Sequence, residues 1–140
     1  MHRLFLDANV LFSAAFRANA PLRRLWNRSG VELVTSAYAV VEAERHLDAE
    51  QRTSLTELMK DVKVAPDAPS QDLPAGVMLR GKDVPILVTA IANRATHLIT
   101  GDRRDFGRYF GKRLGGVLVL PPRDYFESMR RKPRRPRKKR

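Results

Sequence analysis

Short apolar runs punctuate the chain at wide intervals, and the stretches between them carry apolar residues at helical spacing. Arg3-Leu4-Phe5-Leu6, Glu32-Leu33-Val34-Thr35, Val62-Lys63-Val64-Ala65, His97-Leu98-Ile99-Thr100 and Val117-Leu118-Val119-Leu120 have the length and composition of strands. Helices are predicted over about 9–17, 21–28, 37–48, 51–60, 83–95 and 122–129. Segment 66–81, with Pro66, Pro69, Pro74, Gly76 and Gly81, is expected to be mostly loop. Strands alternating with helices predict an α/β fold with a parallel sheet and crossover helices. Such a sheet binds ligands beyond the carboxyl ends of its strands, where the strand order reverses. Asp7 follows the first predicted strand and Asp102 the fourth, so the two acids face each other if those strands are neighbours.

Composition narrows the picture. A chain of 140 residues suits one domain with one core, and the absence of cysteine removes disulfides and thiolate zinc sites. Asp7 and Asn9 interrupt the apolar run that a signal peptide would need, and no stretch is long and apolar enough to cross a membrane. A soluble, cytoplasmic protein is expected. The formal net charge is +12, but nine of the cations lie in residues 130–140 with no acid among them, leaving +3 on the rest. This divides the chain into a domain over 1–129 and a basic tail over 130–140, which like-charge repulsion and two prolines predict to be disordered. Arg130, Arg131, Lys132, Arg134, Arg135, Arg137, Lys138, Lys139 and Arg140 form a candidate electrostatic arm for nucleic acid; the ordinary alternative is a solubilising terminus.

Four carboxylates stand out against this basic background: Asp7, Glu42, Asp83 and Asp102. Each has an ordinary reading. Asp7 can cap the helix after it, Asp83 precedes Pro85 at a helix start, Asp102 can be a turn residue after Gly101, and Glu42 can be a solvated helix position. Taken together they bring several negative charges to one sheet end, where they would raise one another's pKa. A divalent cation removes that cost, which points to Mg²⁺ or Mn²⁺. Glu44 lies two residues past Glu42 and is aimed elsewhere on the helix, whereas Asp105 shares a short loop with Asp102. His2, His46 and His97 are scattered without ligand spacing, and Ser13 and Ser36 have no evident histidine partner.

Leu6-Asp7-Ala8-Asn9-Val10-Leu11, Thr35-Ser36 leading to Glu42, Asp83-Val84-Pro85-Ile86-Leu87 and Leu98-Ile99-Thr100-Gly101-Asp102, with Asp105-Phe106 behind it, resemble the acidic motifs of the PIN-domain family in order and context. The resemblance runs from about residue 3 to residue 126. It implies a three-layer α/β/α sandwich with a five-stranded, mainly parallel sheet in the order 3-2-1-4-5, and metal-dependent cleavage of RNA. It also implies that Asp7, Glu42, Asp83 and Asp102 are metal-site carboxylates, supported by Asn9, Thr100 and Asp105. A toxin of the VapC type would further imply a small antitoxin partner and a homodimer.

Lys82 beside Asp83, and Arg103, Arg104, Arg108, Lys112 and Arg113 after Asp102, are candidates for a rim that guides phosphate past the acids. Phe106, Tyr109 and Phe110 can stack bases, although core packing is the commoner use of the two phenylalanines. A haloacid-dehalogenase phosphatase is disfavoured because Asn9 occupies the position where its second aspartate is needed, and the first strand leads into no glycine-rich loop for a dinucleotide. A housekeeping RNA-processing nuclease and a non-catalytic RNA-binding protein on the same scaffold are the remaining alternatives.

Overall fold

Leu4, Phe5 and Leu6 have no exposed surface, which marks their strand as the middle of a sheet covered on both faces. The computed structural model describes residues 1–68 and 73–130. Segment 69–72 and the predicted RNA contacts Arg131, Lys132, Arg134, Arg135, Arg137, Lys138, Lys139 and Arg140 lie outside the described residues. The strands are β1 (His2–Leu6), β2 (Val31–Ser36), β3 (Val62–Ala65), β4 (His97–Ile99), β5 (Arg113–Leu114) and β6 (Val117–Leu120). Their order is β3-β2-β1-β4-β6-β5, all parallel except β5 against β6. The five predicted strands therefore stand in the expected order, and the sixth is an added antiparallel edge. The layered α/β architecture agrees with the expectation.

The helices are α1 (Ala8–Phe16), α2 (Ala37–Glu44), α3 (Ala49–Met59), α4 (Val84–Ala92), α5 (Arg103–Phe106) and α6 (Pro122–Arg130), with 3-10 segments at Pro21–Asn27 and Gly107–Tyr109. Side-chain caps explain several boundaries. Ser36 caps α2 by accepting from the Ala39 N–H at 3.2 Å, and Asp48 and Gln51 form a reciprocal capping box at the start of α3. That box breaks the helix predicted over about 37–48 at Glu44 and starts a new one. The predicted 83–95 helix stops at Ala92, because Arg94 turns to a φ of 55° and the Ala95 N–H reaches back to the Ala90 carbonyl. Residues 21–28 form a 3-10 helix rather than an α-helix.

The edge hairpin depends on glycine. Gly115 and Gly116, at φ of 56° and 86°, make the two-residue turn that carries β5 into β6. A Cβ at Gly115 would also lie 2.7 Å from Ile91 Cδ1. At the amino end of the central strands, the rings of His2 and His97 approach to 4.5 Å, and His2 Nδ1 lies 2.9 Å from the Tyr125 hydroxyl on α6. The fold thus joins histidines that are far apart in sequence. Burial pushes the His97 imidazole down to about 4. The charge of Arg113 adds to that shift, so Arg113 belongs to this end of the sheet and not to a rim around the acids, correcting the expectation.

A candidate metal centre at the carboxyl edge of the sheet

β1 and β4 are hydrogen-bonded neighbours, paired Leu4 to His97, Phe5 to Leu98 and Leu6 to Ile99. From β1 the chain crosses to β2 on one side and later to β4 on the other, so the reversal of strand order falls between these two strands. Asp7 and Thr100 are the first residues beyond the pair, both buried, and the Thr100 hydroxyl donates to Asp7 Oδ2 at 2.7 Å. Asn9 adds an N–H to the same oxygen at 3.1 Å, while the Ala8 backbone N–H donates to Oδ1 at 2.7 Å. The Thr35 hydroxyl donates to the Leu6 carbonyl at 2.7 Å and fixes the strand end from the β2 side. Burial raises the Asp7 pKa and the Asp102 charge adds to it, against the opposing donors Thr100, Ala8 and Asn9.

The loop after β4 is built around the same groups. Asn9 Oδ1 accepts the Gly101 N–H at 2.8 Å, and the Thr100 hydroxyl accepts the Asp102 N–H at 3.1 Å. A Cβ on Gly101 would sit 3.3 Å from Asn9 Oδ1, so the absence of a side chain there permits the close approach. Asp102 Oδ1 then accepts the Asp105 N–H at 3.1 Å and caps α5. The capping roles of Asp7 and Asp102 are therefore real. Each leaves carboxylate surface directed at a shared cavity of about 170 Å³, lined also by Asn9, Tyr38, Glu42, Lys82 and Asp83.

Asp83 occupies the N-cap position of α4 but makes no capping bond. It is 5% exposed, and its Oδ2 is buried without a donor, as is Oδ2 of Asp105. One carboxylate oxygen from each of Asp83, Asp102 and Asp105 lies within 4.8 Å of those of the other two. Burial, then the hydrogen bond and charge of Asp105, push Asp83 up to about 7, whereas the same hydrogen bond holds Asp105 below its ordinary value. Two carboxyls in this relation share a proton, with Asp83 as its holder. Buried oxygens lacking donors, in an all-oxygen acidic set, fit a hard divalent cation that would replace that proton.

The sequence-predicted residues are not equivalent in space. Asp7, Asp83 and Asp102 converge, and Asp105 stands nearer the centre of the group than its supporting role implies. Glu42 lines the cavity, but its Oε1 also meets Arg45 Nη1 at 3.4 Å. Glu44, displaced by roughly 200° around α2 at 3.6 residues per turn, lines a different, largely apolar groove. Lys82 lines the cavity with its Nζ 3.9 Å from Asp105 Oδ2. Arg103 and Arg104 are exposed on α5 beside the acids, and Arg130 ends α6 in a cleft that shares no lining residue with the acidic cavity.

Two residues escape the sequence reading. Arg80 Nε lies 2.9 Å from Asp105 Oδ1, and the Tyr38 hydroxyl donates to the Lys82 carbonyl at 3.0 Å. Tyr38 is four positions before Glu42, so the helical repeat of α2 places both on one face. Arg80 sits in a loop where no periodicity exists to reveal it. That loop is held by Tyr109, whose hydroxyl accepts the Met78 N–H at 2.8 Å and donates to the Met78 carbonyl at 3.3 Å. Phe106 is fully buried, in agreement with core packing.

Comparison with known proteins agrees with this geometry. No curated protein matches the chain. Among solved structures, the fold is similar to that of a chain of VapBC2 from Rickettsia felis bound to a DNA fragment from their promoter, with a TM-score of 0.62 and 13% identity over 85% of this chain and 98% of that one. The PIN domain family model matches residues 3–104, a span that contains Asp7, Glu42, Asp83 and Asp102. The chain therefore belongs to the PIN-domain family, a family of nucleases.

Proposed function

We propose that the protein is an endoribonuclease that hydrolyses RNA phosphodiester bonds with Mg²⁺ or Mn²⁺, acting in the cytoplasm as the toxin of a toxin–antitoxin pair. The single observation that carries the metal and its place is the pair of buried, donorless oxygens on Asp83 and Asp105 beside Asp102. Asp83, Asp102 and Asp105 would hold the ion, with Asp7 and Glu42 on the cavity wall. A divalent ion bound there supplies polarisation of a phosphoryl oxygen and a more acidic water.

The chain's own residues do the remaining work. Thr100 and Asn9 fix the Asp7 carboxylate by donating to Oδ2, so that it presents a constant face to the cavity. Arg80 and Lys82 balance Asp105 and lower the repulsion met by an incoming phosphate. Likeness to a chain of the VapBC2 assembly supports the toxin reading, with a small inhibitory partner and a homodimer as its companions. A housekeeping RNA-processing role is the second reading.

Cleavage of single-stranded and structured RNAs should require Mg²⁺ or Mn²⁺ and stop with EDTA. Asp102→Asn and Asp83→Asn should each remove most of it while circular dichroism stays unchanged. Undiminished cleavage by both purified variants refutes the site. Copurification with a small protein encoded by the neighbouring gene, with loss of cleavage in the complex, separates toxin from housekeeping enzyme.

A further inference from the structure

Outside the acidic cavity, α6 and the 3-10 segment Pro21–Asn27 border a cleft of about 430 Å³ lined by Arg24, Arg28, Arg123 and Arg130. Glu127 is the one acid in its lining, and none of the four arginines forms an ion pair among the described residues. Four cations gathered without acidic partners repel one another, and a polyanion would relieve the repulsion. The cleft also has a planar element: the Arg24 guanidinium carbon lies 4.6 Å from the centroid of the Phe126 ring.

Arg123 lines a second cleft as well, of about 280 Å³, together with Arg103 and Phe110; Asp124 is its one acid. Arg103 directly follows Asp102, which lines the acidic cavity. Arg103, Arg123 and the Arg24–Arg28–Arg130 cleft thus form a cationic line that begins at the metal centre. Beyond Arg130 the sequence continues with eight further Lys and Arg in residues 131–140.

We propose that this line is the path of a single-stranded RNA, with phosphates on Arg103, Arg123, Arg28 and Arg130 and bases against the flat faces of Phe110 and of the Arg24–Phe126 stack. The proposal rests on the RNA reading of the acidic site and adds where the strand runs on leaving it. A single strand fits because narrow clefts with aromatic walls use the exposed face of an unpaired base, which a duplex hides and an acidic peptide lacks.

The test uses the full chain in EDTA, so that binding is read without cleavage, and compares wild type with Arg24→Gln/Arg28→Gln/Arg123→Gln across a salt series. For a single-stranded RNA long enough to reach both clefts, affinity should fall at least about tenfold and the salt slope should flatten by about 2, from roughly 0.7 per phosphate contact. The Arg→Lys counterpart at the same three positions should keep the slope, and thermal unfolding of both variants checks the fold. Unchanged affinity and slope in the folded Gln variant overturn the path. Equal losses for duplex DNA of the same length overturn its selectivity for a single strand, and displacement of the RNA by polyglutamate at equal charge overturns it in favour of an acidic protein partner. Cleavage of RNA by the wild type in Mn²⁺ is scored separately. A lost slope without any wild-type cleavage leaves the path standing and sinks the nuclease reading; cleavage with an unchanged slope does the reverse.

Discussion

The Thr100 hydroxyl spends its whole bonding capacity on the site. Its single proton goes to Asp7 Oδ2 at 2.7 Å, and its two lone pairs receive the Asp102 N–H at 3.1 Å and the Asn9 side-chain N–H at 3.3 Å. Thr100→Val preserves shape but removes all three bonds, leaving the buried Asp7 oxygen dependent on Asn9. Mn²⁺ affinity measured by titration calorimetry should fall about 10–100-fold, the usual cost of losing a partner behind a metal ligand, while Thr100→Ser should retain affinity near wild type. An equal loss in both variants would show that packing, not the hydroxyl, is what the site needs. Polar residues inside otherwise apolar motifs made Asp7, Asn9 and Thr100 legible in sequence. The ranking of Asp105 was not, because its importance comes from a buried oxygen beside Asp83, and burial in a loop has no periodic signature.

At the level of elements, α4 and β4 carry titrating groups that pull stability in opposite directions. Asp83 before α4 is raised from 3.8 to about 7, so the folded state holds a proton that the unfolded chain has released; this stabilises below about pH 4 and is lost as pH rises through about 7. His97 on β4 is lowered from 6.5 to about 4, so acidification protonates the unfolded chain first and stability is lost as pH falls from about 6.5 to about 4. The metal-free wild type should therefore show a shallow pH dependence across this window. Asp83→Asn should be more stable than wild type near neutral pH without metal and should lose stability more steeply on acidification, as read by urea unfolding at about pH 5 and about pH 7.5. A parallel pH dependence in the two proteins would deny Asp83 its shared proton. The long strands were legible because four or more consecutive residues are apolar on a buried sheet. β5 has two residues and α5 four, too few for any period to show, although Gly115-Gly116 was a visible hairpin signal and the side chain of Asp102 a possible cap.

At the scale of the whole molecule, charge and chemistry are kept apart. The acids stand at the ends of β1 and β4, while most of the net charge lies in residues 130–140, beyond or at the last turn of α6. Truncation after Arg130 should weaken RNA binding and flatten its salt dependence, yet leave single-turnover cleavage at saturating RNA near wild type, since none of the site residues is touched. An unchanged salt slope returns the tail to a solubilising role. The arginine clefts were hidden from sequence for a simple reason: Arg24 and Arg28 are about a hundred residues from Arg123, and only the packing of α6 against the early 3-10 segment unites them. The same separation governs the central site in time. Asp7 takes a hydrogen bond from Thr100, and the Thr100 backbone N–H is in turn held by the Leu120 carbonyl at 3.1 Å. At roughly 5–20 residues per second of synthesis, Asp7 waits on the order of ten seconds before that last strand exists. The nascent chain is thus born unarmed: whatever RNA the finished protein cuts, the message and ribosome producing it are spared until the body of the domain is almost wholly made.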